Sequence, residues 1–289
     1  MAENTPHHTR AALVVAHPGH ELRVYGWLEA TRPRVFVLTD GSGRSTRSRI
    51  ASTNRVLTGV GAAHGDIYAR LTDADLYTAI LDHEFNLFTH LTDELADALV
   101  REKISCVVGD AVEGYNPAHD ACRLIVNAAV VLAGRALSER ITNLDFTLVG
   151  RPDECPEPSR ASALWLHLDD ETFARKLTAA RNYPELVAEV DAALSGAGSV
   201  GLRVHPDLAA RSGINKAASA DGGASGETFR VECLRPARAF EPSFDVPPFY
   251  EQYGERQVAA GHYARVLRYR AHMLPLAEAL RSHVEKRNR

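Results

Sequence analysis

Two short segments of the chain gather groups that bind metals or move protons. The first, His17-Pro18-Gly19-His20-Glu21, follows directly on an apolar run from Ala11 to Ala16. The second, from Asp110 to Asp120, contains Asp110, Glu113, Tyr115, Asn116 and His119 and follows another apolar run, Ile104 to Val108. His17, His20 and His119 offer three imidazoles from two strand ends. Imidazole suits zinc, and three protein ligands beside an open position are the pattern of a catalytic zinc site. A plainer reading stays open, in which each histidine is a loop or helix-start residue with an ordinary hydrogen bond. Glu113 is the preferred proton acceptor among the nearby acids, with Asp110 and Asp120 behind it. Each acid also has a plain reading as a loop hydrogen-bonder or a helix N-terminal carboxylate, which suits Asp120 best. Asp40 can line a cleft. Tyr115 can bind substrate or simply pack. Cys122 reads as a small core residue.

The elements that must position these groups read as alternating strands and helices. Ala11 to Ala16 is apolar at every residue, as in a parallel-sheet strand covered on both faces. Arg34 to Leu38 is a second strand and ends in the turn signal Thr39-Asp40-Gly41-Ser42-Gly43. The eleven residues HELRVYGWLEA between them have helical composition. Residues 85–103 predict a helix, Ile104 to Val108 a strand, and Pro117 the first turn of another helix. That helix carries Ala121, Leu124, Ile125, Ala128, Val131 and Leu132 on one face. Asp145 to Val149 predicts a strand, Thr172 to Leu194 a helix interrupted at Pro184, and Thr228 to Leu234 a late strand. A C-terminal helical region follows, with a kink expected at Pro275.

This order predicts an α/β fold, a Rossmann-like, mostly parallel sheet flanked by helices, with a C-terminal helical extension. Ligands of such sheets bind beyond the carboxyl ends of the strands, where both segments lie. No G-x-G-x-x-G follows the first strand, which argues against a dinucleotide site. Residues 1–194 are expected to form the core. Residues 195–226, rich in Gly, Ser and Ala, read as a flexible loop or linker. Residues 227–289 add the late strand and the helical extension, which can serve as an oligomer contact or a cleft wall.

Composition narrows the function classes. The 289 residues carry 33 Lys and Arg against 37 Asp and Glu, a net charge of −4, so no basic excess exists to track nucleic-acid phosphates. No apolar run reaches the roughly 18 residues of a membrane helix. The polar N-terminus lacks a secretory signal, so the chain is expected in the cytoplasm. Four scattered cysteines form no C-x-x-C, which argues against a disulfide framework. The Arg-rich stretch 44–55 reads as a solvated loop leading into a helix.

Together, Ala16-His17-Pro18-Gly19-His20-Glu21 and Asn116-Pro117-Ala118-His119 resemble the two motifs of the LmbE/PIG-L family of metal-dependent N-deacetylases, A-H-P-D-D-E and H-P-D-H. Residues 35–43 resemble that family's second strand and turn, and the resemblance covers about residues 10–235. It implies zinc, or another divalent metal, held by His17, His20 and His119, with His20 in place of an aspartate. It implies that Glu21 supports the loop and that Glu232, on the late strand, lines the cleft. The implied activity is hydrolysis of an N-acetylated sugar or a conjugate carrying one, of the N-acetylglucosamine type. The implied partner is thus a small molecule, with neither nucleic acid nor membrane, and a homo-oligomer is compatible with it. Three family positions differ. The general-base Asp is Gly19, the first His of the second motif is Asn116, and the Asp before the last ligand is Ala118. Asn116 can still donate a hydrogen bond to an oxyanion. The base would then be Glu113 or another nearby acid. An alternative is a catalytically degenerate member that binds a sugar conjugate or partner without hydrolysis, with the Arg-rich stretch 44–55 meeting an anionic group. Hydrolysis of another amide or an ester is a third option.

Overall fold

Strand β1, Ala11–Val15, is buried at every residue because both faces of its sheet are covered. Ala12, Val14 and Ala16 point into one core and Ala11, Leu13 and Val15 into the other. That two-sided burial is what a continuous apolar run, without alternation, encodes. The computed structural model describes residues 10–43, 47–194, 226–237, 244 and 246–287.

In chain order, β1 leads through a tight turn of 3-10 helix, His20–Val24, into α1, Tyr25–Thr31. Then come β2, Arg34–Thr39, α2, Ile50–Val60, and β3, Ala63–Leu71. Helices α3, Asp73–Leu81, and α4, Phe85–Arg101, precede β4, Cys106–Asp110. Helix α5, Pro117–Leu137, and β5, Thr142–Phe146, complete the parallel part. A short α6, Glu157–Arg160, β6, Leu164–His167, α7, Asp170–Arg181, and α8, Val187–Leu194, follow. Late in the chain are β7, Val231–Pro236, α9, Phe249–Ala259, and α10, Leu274–Lys286.

The strand order is β3-β2-β1-β4-β5-β7-β6. The first five strands are parallel, and β7 is antiparallel to both β5 and β6. Chain direction across the sheet reverses between β1 and β4, so the carboxyl ends of these two strands flank the switch-point crevice of a doubly wound fold. The fold is thus the expected mostly parallel α/β sheet with a C-terminal helix.

Several boundaries differ from expectation. Strand β4 starts at Cys106, and β5 lies three residues earlier than Asp145 to Val149. Asn143 explains the shift, because its amide is satisfied by Arg123 and Asn127, so a polar residue sits inside the strand at no cost. Strands β3 and β6 and helix α3 have no counterpart in the sequence reading. Pro275 stands in the first turn of α10, directly after a turn of π-helix at Tyr269–Met273, so the helix type changes just before the proline. Leu276, Ala277, Leu280 and Val284 of α10 join the core beneath α4 and α5. Residues 195–225 of the expected linker, and residues 1–9, lie outside the described residues.

Candidate metal centre

The switch point brings the three histidines together. Ring centres lie 5.2 Å apart for His17 and His20, 5.1 Å for His17 and His119, and 4.7 Å for His20 and His119. His17 and His20 come from the turn after β1, and His119 from the first turn of α5 after β4. Imidazoles sharing one tetrahedral zinc, with nitrogens at about 2.0–2.1 Å, place their ring centres roughly 5 Å apart.

Two of the rings are oriented by carboxylates. His17 Nδ1 lies 3.0 Å from Asp73 Oδ1 and 2.8 Å from Thr39 Oγ1. His20 Nδ1 lies 3.0 Å from both oxygens of Asp110. An ionised carboxylate only accepts, so each Nδ1 carries the proton and each Nε2 keeps its lone pair. This is the carboxylate–histidine pairing that prepares Nε2 for a metal. The third ring lacks such a partner. His119 is buried, and its Nδ1 has no hydrogen-bond partner, a deficit that a bound cation relieves. Among the described residues, no three His, Cys, Asp or Glu side chains already stand with their donor atoms set to grip an ion. Chemistry, spacing and the orphaned nitrogen nevertheless fit a divalent metal, given ring adjustments within the crevice.

The electrostatics follow from burial. Burial lowers His20 against the opposing pull of Asp110, and it lowers His119 well below the usual histidine value, helped by the other two histidines. Both rings are therefore neutral, the state that ligates. Burial alone would raise Asp73, but hydrogen bonds from His17, Thr39 and Gly43 outweigh it and hold the carboxyl well below its usual range.

The remaining candidates take other roles. Asp110 accepts from Ala16 N–H at 2.7 Å as well as from His20, so it is a positioning group with no free oxygen for proton transfer. Glu113 does not face the histidines as expected. Its oxygens accept from the N–H groups of Leu148 and Val149 at 3.0 and 3.1 Å, and burial pushes it up to about 8. Asn116 caps α5 by accepting from Ala118 N–H at 2.9 Å, and its Nδ2 lies 3.5 Å from His17 Nε2. Asp120 accepts from the N–H groups of Glu113 and Gly114, the loop-bonding role of its plain reading. Asp40 accepts from the N–H and hydroxyl of Ser42 at 3.0 and 2.6 Å. Tyr115 stacks on Phe249. Glu232 does not line the cleft. It is 1% exposed and accepts from Gly26 N–H, Trp27 N–H and Lys176 Nζ at 2.8, 2.9 and 2.7 Å. Cys122 is buried in the core.

Glu21 supports the loop, accepting from Gly19 N–H and Thr53 Oγ1, both at 2.7 Å. Gly19 itself has φ +105°, and a Cβ there would meet Leu186 Cδ1 at 2.6 Å. The turn after α7 thus occupies the space a side chain at position 19 would need. Sequence reasoning missed Asp73, Thr39 and Leu186 as contributors. Asp73 was findable, because Thr72-x-x-Asp75 is a capping box that starts a helix there.

A cavity of about 610 Å³ opens at the opposite end of the sheet, lined by Arg10, Arg32, Arg34 and Arg101. Arg32 caps the C-terminus of α1 and Arg101 lies in the last turn of α4, where positive charge offsets the helix dipoles.

No protein-family model matches the chain, and no curated protein matches it. Among solved structures, it is similar to a deacetylase of the antimicrobial A40926 pseudoaglycone. Identity is 18%, over 82% of this chain and 100% of that one, with a TM-score of 0.45. It is also similar to a deacetylase complex from the teicoplanin biosynthesis pathway, at 16% identity over 64% of this chain and 88% of that one, TM-score 0.43. A zinc-inhibited form of teicoplanin deacetylase gives 14% identity over 66% and 87%, TM-score 0.43. Likeness of this size leaves the site to be read from its own residues. Among the described residues, no helix is long and apolar enough to cross a membrane.

Proposed function

We propose that this chain is a metal-dependent hydrolase of the LmbE/PIG-L type, which removes the acyl group from an N-acetylated sugar or a conjugate carrying one. The observation that carries the reading is the three-histidine cluster, two of its rings held at Nδ1 by carboxylates, which leaves their Nε2 atoms unprotonated. His17, His20 and His119 would hold zinc or another divalent ion. Such an ion supplies Lewis-acid polarisation of a carbonyl and lowers the pKa of water. Asp73 and Asp110 fix the tautomer and aim of His17 and His20. Asn116 Nδ2, beside His17, is placed to donate to the acyl oxygen as it gains negative charge. Tyr115 and Asp40 frame the approach.

A second reading has its own observation. Gly19 stands where a general base is expected, with Leu186 packed over it, and Asp73, Asp110 and Glu113 are already engaged by the hydrogen bonds given above, while Asp120 keeps one buried oxygen, Oδ2, without a partner. That arrangement favours a chain that binds a sugar conjugate without hydrolysing it. Acetate release from a panel of N-acetylated amino sugars, before and after zinc addition, separates the two. Zinc-dependent release that His20→Ala abolishes supports the hydrolase. Saturable binding without release supports the second reading.

A further inference from the structure

Helix α3 meets the centre at two places, one turn apart. Asp73 and Tyr77 stand four residues apart, so both lie on one face of the helix. Asp73 Oδ1 lies 3.0 Å from His17 Nδ1. Tyr77 Oη donates to Asn116 Oδ1 at 3.2 Å. The same Oδ1 accepts from Ala118 N–H at 2.9 Å, and the amide nitrogen Nδ2 lies 3.5 Å from His17 Nε2. A backbone N–H only donates, so the atom facing Ala118 is the oxygen, and the Tyr77 hydroxyl beside it is the donor of that pair. Both ends of the Asn116 amide are thereby fixed, Oδ1 between two donors and Nδ2 turned to the histidines.

The helix that carries the pair is held firmly. Thr72 and Asp75 form a capping box at its start. Asp73 also accepts from Thr39 Oγ1 and Gly43 N–H. Leu76, Ala79 and Ile80 are buried in the core, and the Tyr77 ring packs against that core. A phenyl ring would pack there equally well, so packing does not account for the hydroxyl. The proposed reaction asks Asn116 to donate from Nδ2 to an acyl oxygen. Hydrogen bonds accepted at an amide oxygen polarise the amide and strengthen its N–H groups as donors.

We propose that Tyr77 is a positioning residue for the reaction, its hydroxyl aiming the Asn116 amide at the acyl oxygen and strengthening it as a donor. Helix α3 then sets two parts of the site at once, His17 through Asp73 and the oxyanion donor through Tyr77. The inference rests on the hydrolase reading of the histidine centre.

The test is a double-mutant cycle on acetate release by the zinc-loaded chain, read together with the side-chain amide signals of Asn116 by NMR. Tyr77→Phe keeps the ring and removes only the hydroxyl. Asn116→Ser keeps a capping oxygen at the start of α5 and removes the amide. Asn116→Ser is expected to lower kcat about 100-fold. Tyr77→Phe is expected to lower it about 3- to 10-fold, with KM changed by less than about twofold, and to cost nothing further in the Asn116→Ser background. A purely structural role would give the same loss in both backgrounds. Independently of turnover, Tyr77→Phe should shift the Asn116 Nδ2 proton signals, identified by their loss in Asn116→Ser, while the other asparagine amides stay in place. Tyr77→Leu serves instead if Tyr77→Phe fails to fold. Equal losses in the two backgrounds, or Asn116 signals that do not move, overturn the proposal. No acetate release from the parent chain rejects the hydrolase reading, and the amide signals then decide by themselves whether Tyr77 sets Asn116.

Discussion

Glu232 and His119 are both buried, at 1% and 6% exposure, yet their surroundings differ. Glu232 is surrounded by donors, two backbone N–H groups and the ammonium of Lys176, and its oxygens are satisfied. His119 has an Nδ1 with no partner, inside a ring of two other imidazoles. A satisfied buried charge ties α1, α7 and β7 together and is framework. An unsatisfied buried nitrogen beside two other imidazoles at a sheet switch point marks a candidate site. Residue type alone does not separate the two cases, since glutamate and histidine are both common in active sites.

The largest effect should come from breaking the satisfied side. Lys176→Met leaves the Glu232 carboxylate buried without its counter-charge, which should cost about 3–5 kcal/mol in urea unfolding. A loss below about 1 kcal/mol would show that water reaches Glu232 and that the pair is not framework. Next, Asp110→Asn turns an NH₂ toward either Ala16 N–H or His20 Nδ1–H, both donors. Zinc affinity should fall about 10- to 100-fold in a competition titration. An unchanged affinity would detach Asp110 from the centre.

Gly19→Ala should destabilise by about 1–3 kcal/mol, because φ +105° is strained for any side chain and Leu186 fills the space. Adding Leu186→Ala should recover part of that loss in thermal unfolding, the steric part, and none of the backbone part. Full recovery would mean that position 19 tolerates a side chain and that its missing base is incidental. A further effect concerns pH. Burial raises Glu113 from its ordinary 4.5 to about 8, so the folded chain binds this proton more tightly than the unfolded one. Its contribution is therefore complete below about pH 4.5 and is lost as pH rises towards 8. Glu113→Gln should flatten this part of the stability–pH curve. An unaltered slope would place the charged carboxylate in a wetter setting than its bonds to Leu148 and Val149 indicate.

Much of the framework was legible because β1, β2 and β4 are buried on both faces, and that leaves uninterrupted apolar runs. Strand β3, Ala63–Leu71, was not legible. It lies at the sheet edge, exposes His64 and Asp66, and pairs with β2 through register shifts, so neither alternation nor a run survives. Strand β6 is short and pairs only with β7, again without a strong pattern. The three histidines were legible from their place after strands. Of their carboxylate partners, Asp110 stood out as a nearby acid but Asp73 did not, because it sits in the helix that β3 delivers, and a strand missed hides whatever follows it. Glu113 looked available because it stands near His119 in the chain, but the loop turns its carboxylate to the β5 end. Helix α9 meets the loop before α5 through tertiary contacts, Tyr250 N–H on Gly114 O and Phe249 on Tyr115, which spacing along the chain does not encode.

Zinc bound per chain tests the central claim most directly. Purified protein stripped with chelator, incubated with zinc and desalted should retain one zinc per chain by elemental analysis, and His119→Ala should retain none while unfolding at a similar temperature. Well under one zinc in the parent chain, or equal zinc in parent and variant, would contradict a three-histidine metal centre.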